Sequence, residues 1–78
     1  MAEISFLSQL NKNKMSDFKQ RLEAEKIELD ERLSKLKAFQ ESENFKAIDP
    51  VQMTLLNIQA KAMETYSQCL LERIVRLA

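Results

Sequence analysis

Apolar residues recur along the chain at helical spacing, and three segments separate by pattern. The first runs from about residue 2 to 10, where Ile4, Phe6, Leu7 and Leu10 make a small apolar face. Asn11-Lys12-Asn13-Lys14 then interrupts it with polar residues suited to a turn or a helix end. The second runs from about 16 to 42. Asp17 with Gln20 resembles a capping box, with Ser16 as the competing cap, and Phe18, Leu22, Leu29, Leu33 and Leu36 follow at steps of three, four and seven. Glu28 with Arg32, and Glu31 with Lys35, add pairs four residues apart. The third runs from about 50 to 77. Asp49-Pro50-Val51-Gln52 is the strongest local signal: a cap, a proline at the first helical position and a residue to close the capping box. The stripe behind it is Val51, Leu55, Ile58, Ala62, Tyr66, Leu70 and Ile74, with Gln59, Met63, Cys69 and Arg73 on its shoulders.

This pattern predicts an all-α protein: a short N-terminal helix, then a long antiparallel two-helix hairpin, in a single domain over 1–78. The long helices are each roughly 40 Å long at the standard rise. Phe45 and Ile48, in the connection, turn inward to plug the end of the hairpin. A lone hairpin has one internal seam, which leaves Ile27, Leu56, Leu71, Val75 and the Met residues short of partners. The expectation is assembly into a homo-oligomeric helical bundle.

Composition changes the picture by exclusion. Among the 78 residues there is no Gly, no His and no Trp, with one Pro and one Cys. A phosphate-cradling loop needs Gly, and the usual zinc sites and His-based dyads need His. No catalytic residue, metal site or cofactor is expected. Cys69 reads as a small buried apolar residue rather than a nucleophile. Twelve basic and twelve acidic residues leave no net charge and no basic face for duplex nucleic acid. No run is apolar enough to span a bilayer, and Met1-Ala2-Glu3-Ile4 lacks the features of a signal peptide, so a cytoplasmic protein is expected.

Two basic residues fall at or beside the apolar stripes. Lys26 lies four after Leu22 and three before Leu29, and Arg73 lies three after Leu70. With the turn centred near Lys46, position 26 pairs roughly with position 66, which places Lys26 beside Tyr66. A cation next to an aromatic ring on an apolar surface suits an anion or a nucleotide, the cation taking phosphate and the ring stacking a base. The same residues also suit ion pairs that fix register in an oligomer, with their stems covering apolar surface. Lys12 belongs to the one uncompensated positive cluster, a solvated helix end or a contact for an anion.

Glu25-Lys26, Leu29, Arg32-Leu33, Lys35-Leu36, Phe39, Ser42, Phe45, Ile48-Asp49, Leu55-Leu56, Gln59, Ala62-Met63, Tyr66, Leu70 and Arg73-Ile74 together carry a resemblance. From about Phe18 to Leu77 the chain resembles the phage anti-CBASS cyclic-oligonucleotide sponges, whose hairpin is shared with the Thoeris anti-defence sponge. The resemblance implies a helical hairpin with a short N-terminal helix, assembled as a hexamer, a trimer of dimers. It implies binding of cyclic dinucleotides, and of cyclic trinucleotides at separate pockets, without cleavage, in the cytoplasm of the infected bacterium. Sequestering the second messenger leaves CBASS effectors without their activator. By position, Lys26 is the implied phosphate contact and Phe6 the stacking residue, an aromatic face without a hydroxyl. Tyr66 and Arg73 are implied for a second pocket or for the oligomer seam. The alternative is a structural hairpin that oligomerises or binds a partner helix.

Overall fold

The computed structural model describes residues 10–77, with side chains from residue 17 onward. They form three helices: α1 (Leu10–Gln40), α2 (Glu43–Lys46) and α3 (Pro50–Arg76). The described backbone is helical throughout apart from its short connections. The expected helix over 2–10 lies outside these residues except for Leu10.

α1 is longer than the pattern predicts. Asn11-Lys12-Asn13-Lys14, expected as a turn, lies within the helix, so Ser16 and Asp17 do not cap a new one. Asn and Lys lower helix propensity only slightly, and neither breaks the backbone as Gly or Pro would. α1 ends where Ser42 intervenes. Its hydroxyl donates to the Phe39 carbonyl at 2.6 Å and accepts from the Phe45 amide at 3.3 Å, stopping one helix and capping the next. The one-turn α2 exists to turn Phe45 inward. That ring is buried and meets Phe39 edge to face, with centroids 5.8 Å apart. Phe45 thus plugs the hairpin end as expected, and Ile48 is half-buried beside it in sequence.

Asp49 is the N-cap of α3 and Pro50 its first residue, as the sequence signals. The capping box does not form: the Asp49 side chain makes no cap bond. Its extended backbone, φ −56° and ψ 134°, is the conformation a following proline favours.

Cross-helix contacts show that α1 and α3 are antiparallel. Gln40 bonds Asn57, Lys37 pairs with Glu64, Lys26 bonds Ser67, and Arg73 stands over Phe18. One number rises as the other falls. The core is thin. Leu22, Leu29 and Leu70 form its centre, and Phe18, Met63, Ile74 and Leu77 pack against them. Leu70 is completely buried.

The seam of α3 keeps Leu70 and Ile74 of the expected stripe but not the part before them. Met53, Leu56, Ala60, Met63, Ser67, Leu70 and Ile74 face inward, buried or half-buried. Their steps alternate three and four, matching Leu22, Lys26, Leu29, Leu33 and Leu36 on α1. Val51, Leu55, Ile58 and Tyr66 are exposed instead, by 62, 52, 59 and 44%. They lie about 120° around the helix from the seam. Leu56 and the seam methionines therefore have partners, while Ile27, Leu71 and Val75 are exposed as expected.

Candidate ligand site

Lys26 enters the seam between Leu22 and Leu29, and Ser67 enters it from α3 between Met63 and Leu70. All four flanking residues belong to the apolar core or pack on it. A charged side chain among them needs partners. Lys26 Nζ donates to Asp30 Oδ2 at 2.7 Å and to Ser67 Oγ at 3.0 Å. Ser67 Oγ donates its own proton to Asp30 Oδ1 at 2.6 Å. The three side chains close a ring of hydrogen bonds across the two helices.

Two of the three ammonium protons are used in this ring, and each Asp30 oxygen accepts one bond. The Lys26 side chain is 23% exposed and that of Asp30 44%, so the cluster opens to solvent on the Asp30 side. The hydrogen bond from Lys26, followed by that from Ser67, holds the Asp30 carboxyl below the usual carboxylate range, against a smaller opposing effect of burial. Farther along, Lys37 Nζ stands 2.7 Å from Glu64 Oε2, with Lys61 at 3.5 Å. The hydrogen bond from Lys37 lowers the Glu64 carboxyl in the same sense.

The other sequence candidates are placed differently. Tyr66 does not contact Lys26 as the hairpin arithmetic suggested. The register is offset by one residue, so Ser67 takes that place and Tyr66 turns about 100° outward. Arg73 is exposed, with its guanidinium carbon 6.0 Å from the centroid of the Phe18 ring. Tyr66 and Arg73 are seven residues apart on one face of α3, about 10.5 Å along the axis. Phe6 and the Lys12 side chain lie outside the described residues; the Lys12 backbone is in α1.

Cys69, expected buried, is exposed. It lines an open concavity with Glu64, Thr65, Gln68, Glu72 and Arg73. This described lining comes from one face of α3, and its two carboxylates outnumber its one guanidinium. By itself it does not favour an anion.

Asp30 and Ser67 were missed by sequence reasoning. Asp30 sits four residues after Lys26, the spacing that was applied to Glu28–Arg32 and Glu31–Lys35. Those two pairs are not among the ion pairs of the described residues, whereas Lys26–Asp30 is. Ser67 was legible only once the seam of α3 was known.

The fold and site define a class: a helical hairpin with one polar cluster set into an otherwise apolar seam. The chain belongs to the Sequestin family, whose model matches residues 16–76. This fits the resemblance to phage anti-defence sponges, and the family name is consistent with a sequestering role. The match begins after Phe6 and Lys12. Comparison with the curated proteins and with the solved structures gives no significant match. No described helix is long and apolar enough to cross a membrane.

Proposed function

We propose that this protein binds cyclic dinucleotides, and cyclic trinucleotides at separate pockets, and holds them without cleaving them. In the cytoplasm of an infected bacterium this starves CBASS effectors of their activator. The observation that carries the reading is the Sequestin match over residues 16–76. Lys26 supports it, as an ammonium held at a fixed place in an apolar setting, the arrangement that strengthens a contact with phosphate.

In this reading the pockets lie between copies in a homohexamer, a trimer of dimers. A cyclic dinucleotide carries two phosphates and two bases, and a shared pocket presents each protein residue twice. Lys26 and Lys12 take phosphates and Phe6 stacks on a base. Tyr66 and Arg73, on one face of α3, serve a second pocket or the contact between copies. No step requires a proton donor, a metal or a cofactor, because nothing is broken.

Titration calorimetry with a panel of cyclic di- and trinucleotides tests the reading, followed by heating the complex and recovering the nucleotide. Stoichiometric uptake and intact release are expected. No heat with any of them at micromolar concentration overturns it. Lys26→Met keeps the packing stem and removes the charge. It should weaken binding by about tenfold or more, the worth of a charge-assisted hydrogen bond, and an unchanged affinity removes Lys26 from the site.

A structural hairpin is the second reading. It is favoured by the exposed Val51, Leu55 and Ile58 and by the neutralised charge of Lys26. It predicts assembly without any nucleotide binding.

A further inference from the structure

Lys26 is already occupied. Its ammonium faces a carboxylate at 2.7 Å, and that carboxylate is fixed from the other helix by Ser67 at 2.6 Å. A phosphate arriving at Lys26 meets a pair with no net charge, and a negative oxygen beside it. Coulomb repulsion between two anions sharing one cation opposes binding unless one of them leaves. Asp30 is able to leave. Its side chain is 44% exposed, against 23% for Lys26, and it reaches the ring from the solvent side. Lys26 is tied to the seam by its own bond to Ser67 at 3.0 Å, which does not involve Asp30.

We propose that Asp30 is an internal counter-anion for Lys26, held in place by Ser67, which a ligand phosphate must displace. The cluster is then an exchange site, with a carboxylate bound when it is empty and a phosphate when it is loaded. The inference rests on the reading of Lys26 as a phosphate contact and adds a threshold to it. Neutral molecules do not repay the loss of the Lys26–Asp30 pair, so the site favours anions over neutral ligands. The same ring stabilises the empty hairpin, so binding and stability of the empty protein trade against each other.

The test uses the full chain and two variants. Asp30→Asn keeps the shape of the side chain and removes its charge. Ser67→Ala keeps the charge and removes the hydroxyl that fixes it. Calorimetry with cyclic di-AMP, cyclic di-GMP and cyclic GMP-AMP gives affinities, and a thermal melt without ligand gives stability. Asp30→Asn is expected to bind about tenfold more tightly than the wild type while melting at a lower temperature. Ser67→Ala, which also cuts the bond that holds Lys26, is expected to lower the melting temperature. A purely structural role lowers the melting temperature and leaves binding unchanged or weaker, which overturns the proposal while the sponge reading stands. If Asp30→Asn loses its helicity, Asp30→Ala, which removes the carboxylate and leaves the Lys26–Ser67 bond in place, decides: tighter binding supports the exchange, equal or weaker binding overturns it. If none of the three proteins binds any of these nucleotides, the reading of Lys26 fails and the exchange fails with it.

Discussion

Asp30 and Glu64 are the two described carboxylates whose surroundings hold them in the charged form. The Asp30 carboxyl is held low by hydrogen bonds from Lys26 and Ser67, and Glu64 is held low by Lys37. A lowered carboxyl binds fewer protons in the folded than in the unfolded chain. Its contribution is therefore fully present above about pH 4, the unfolded value, and is lost as pH falls through the lower folded value. The melting temperature should drop between about pH 5 and 2. Asp30→Asn removes one of the two contributors, so its melting temperature should fall less over that range. Parallel curves for the two proteins would show that the ring contributes nothing. Lys26 itself was legible as a polar residue at a seam position, because its spacing to Leu22 and Leu29 is local. Of its two partners, Asp30 lies four residues on, a local spacing, whereas Ser67 is forty-one residues away and only the register of the hairpin brings it near.

The elements differ in how much of each a local rule determines. The start of α3 follows from Asp49-Pro50, and the turn from Ser42 and Phe45, since caps and plugs act within a few residues. The face that α3 turns toward α1 does not follow in this way. α3 carries two apolar stripes about 120° apart. Both have helical spacing, and the hydrophobic pattern read one residue at a time favours the outer one, which holds Val51, Leu55, Ile58 and Tyr66. The inner one packs on α1, its steps of three and four matching those of the leucine row there. A pair of truncations separates the two. Leu70→Ala removes a fully buried side chain and should cost about 2–5 kcal/mol, enough to abolish a cooperative melt followed by circular dichroism in a chain this small. Leu55→Ala, on the exposed stripe, should change the hairpin itself by about 0.5 kcal/mol or less. Equal effects would mean that the outer stripe is covered as well.

At the scale of the whole molecule, the described residues form a long thin rod, 53 by 26 by 17 Å. Its described core holds only Leu22, Leu29, Phe45, Ala60 and Leu70 as buried apolar residues. That is little apolar burial for an independent fold. The exposed stripe of α3 runs along the same rod, with Ile27 on α1 and Leu71 and Val75 on α3 also open. The hexamer proposed above covers such surface with further copies. Light scattering of the wild type should then give a mass of several chains. Ile58→Glu, which puts a charge in the middle of the outer stripe without touching the seam, should shift it to smaller species that stay helical at high concentration. A wild type that is a stable monomer would end the oligomer part of the reading.

The sequence alone determined the two long helices, the plug at the turn, the start of α3 at Asp49-Pro50 and the lack of any His. Each depends on propensity, spacing or side-chain type, which act over a turn or less of chain. Tertiary structure alone decided which stripe of α3 is the seam and that Ser67 rather than Tyr66 meets Lys26. These depend on register between helices about forty residues apart in the chain. A shift of one residue turns a side chain by about 100°, so an aromatic partner becomes a hydroxyl, and an apparently free cation becomes one member of a closed ring.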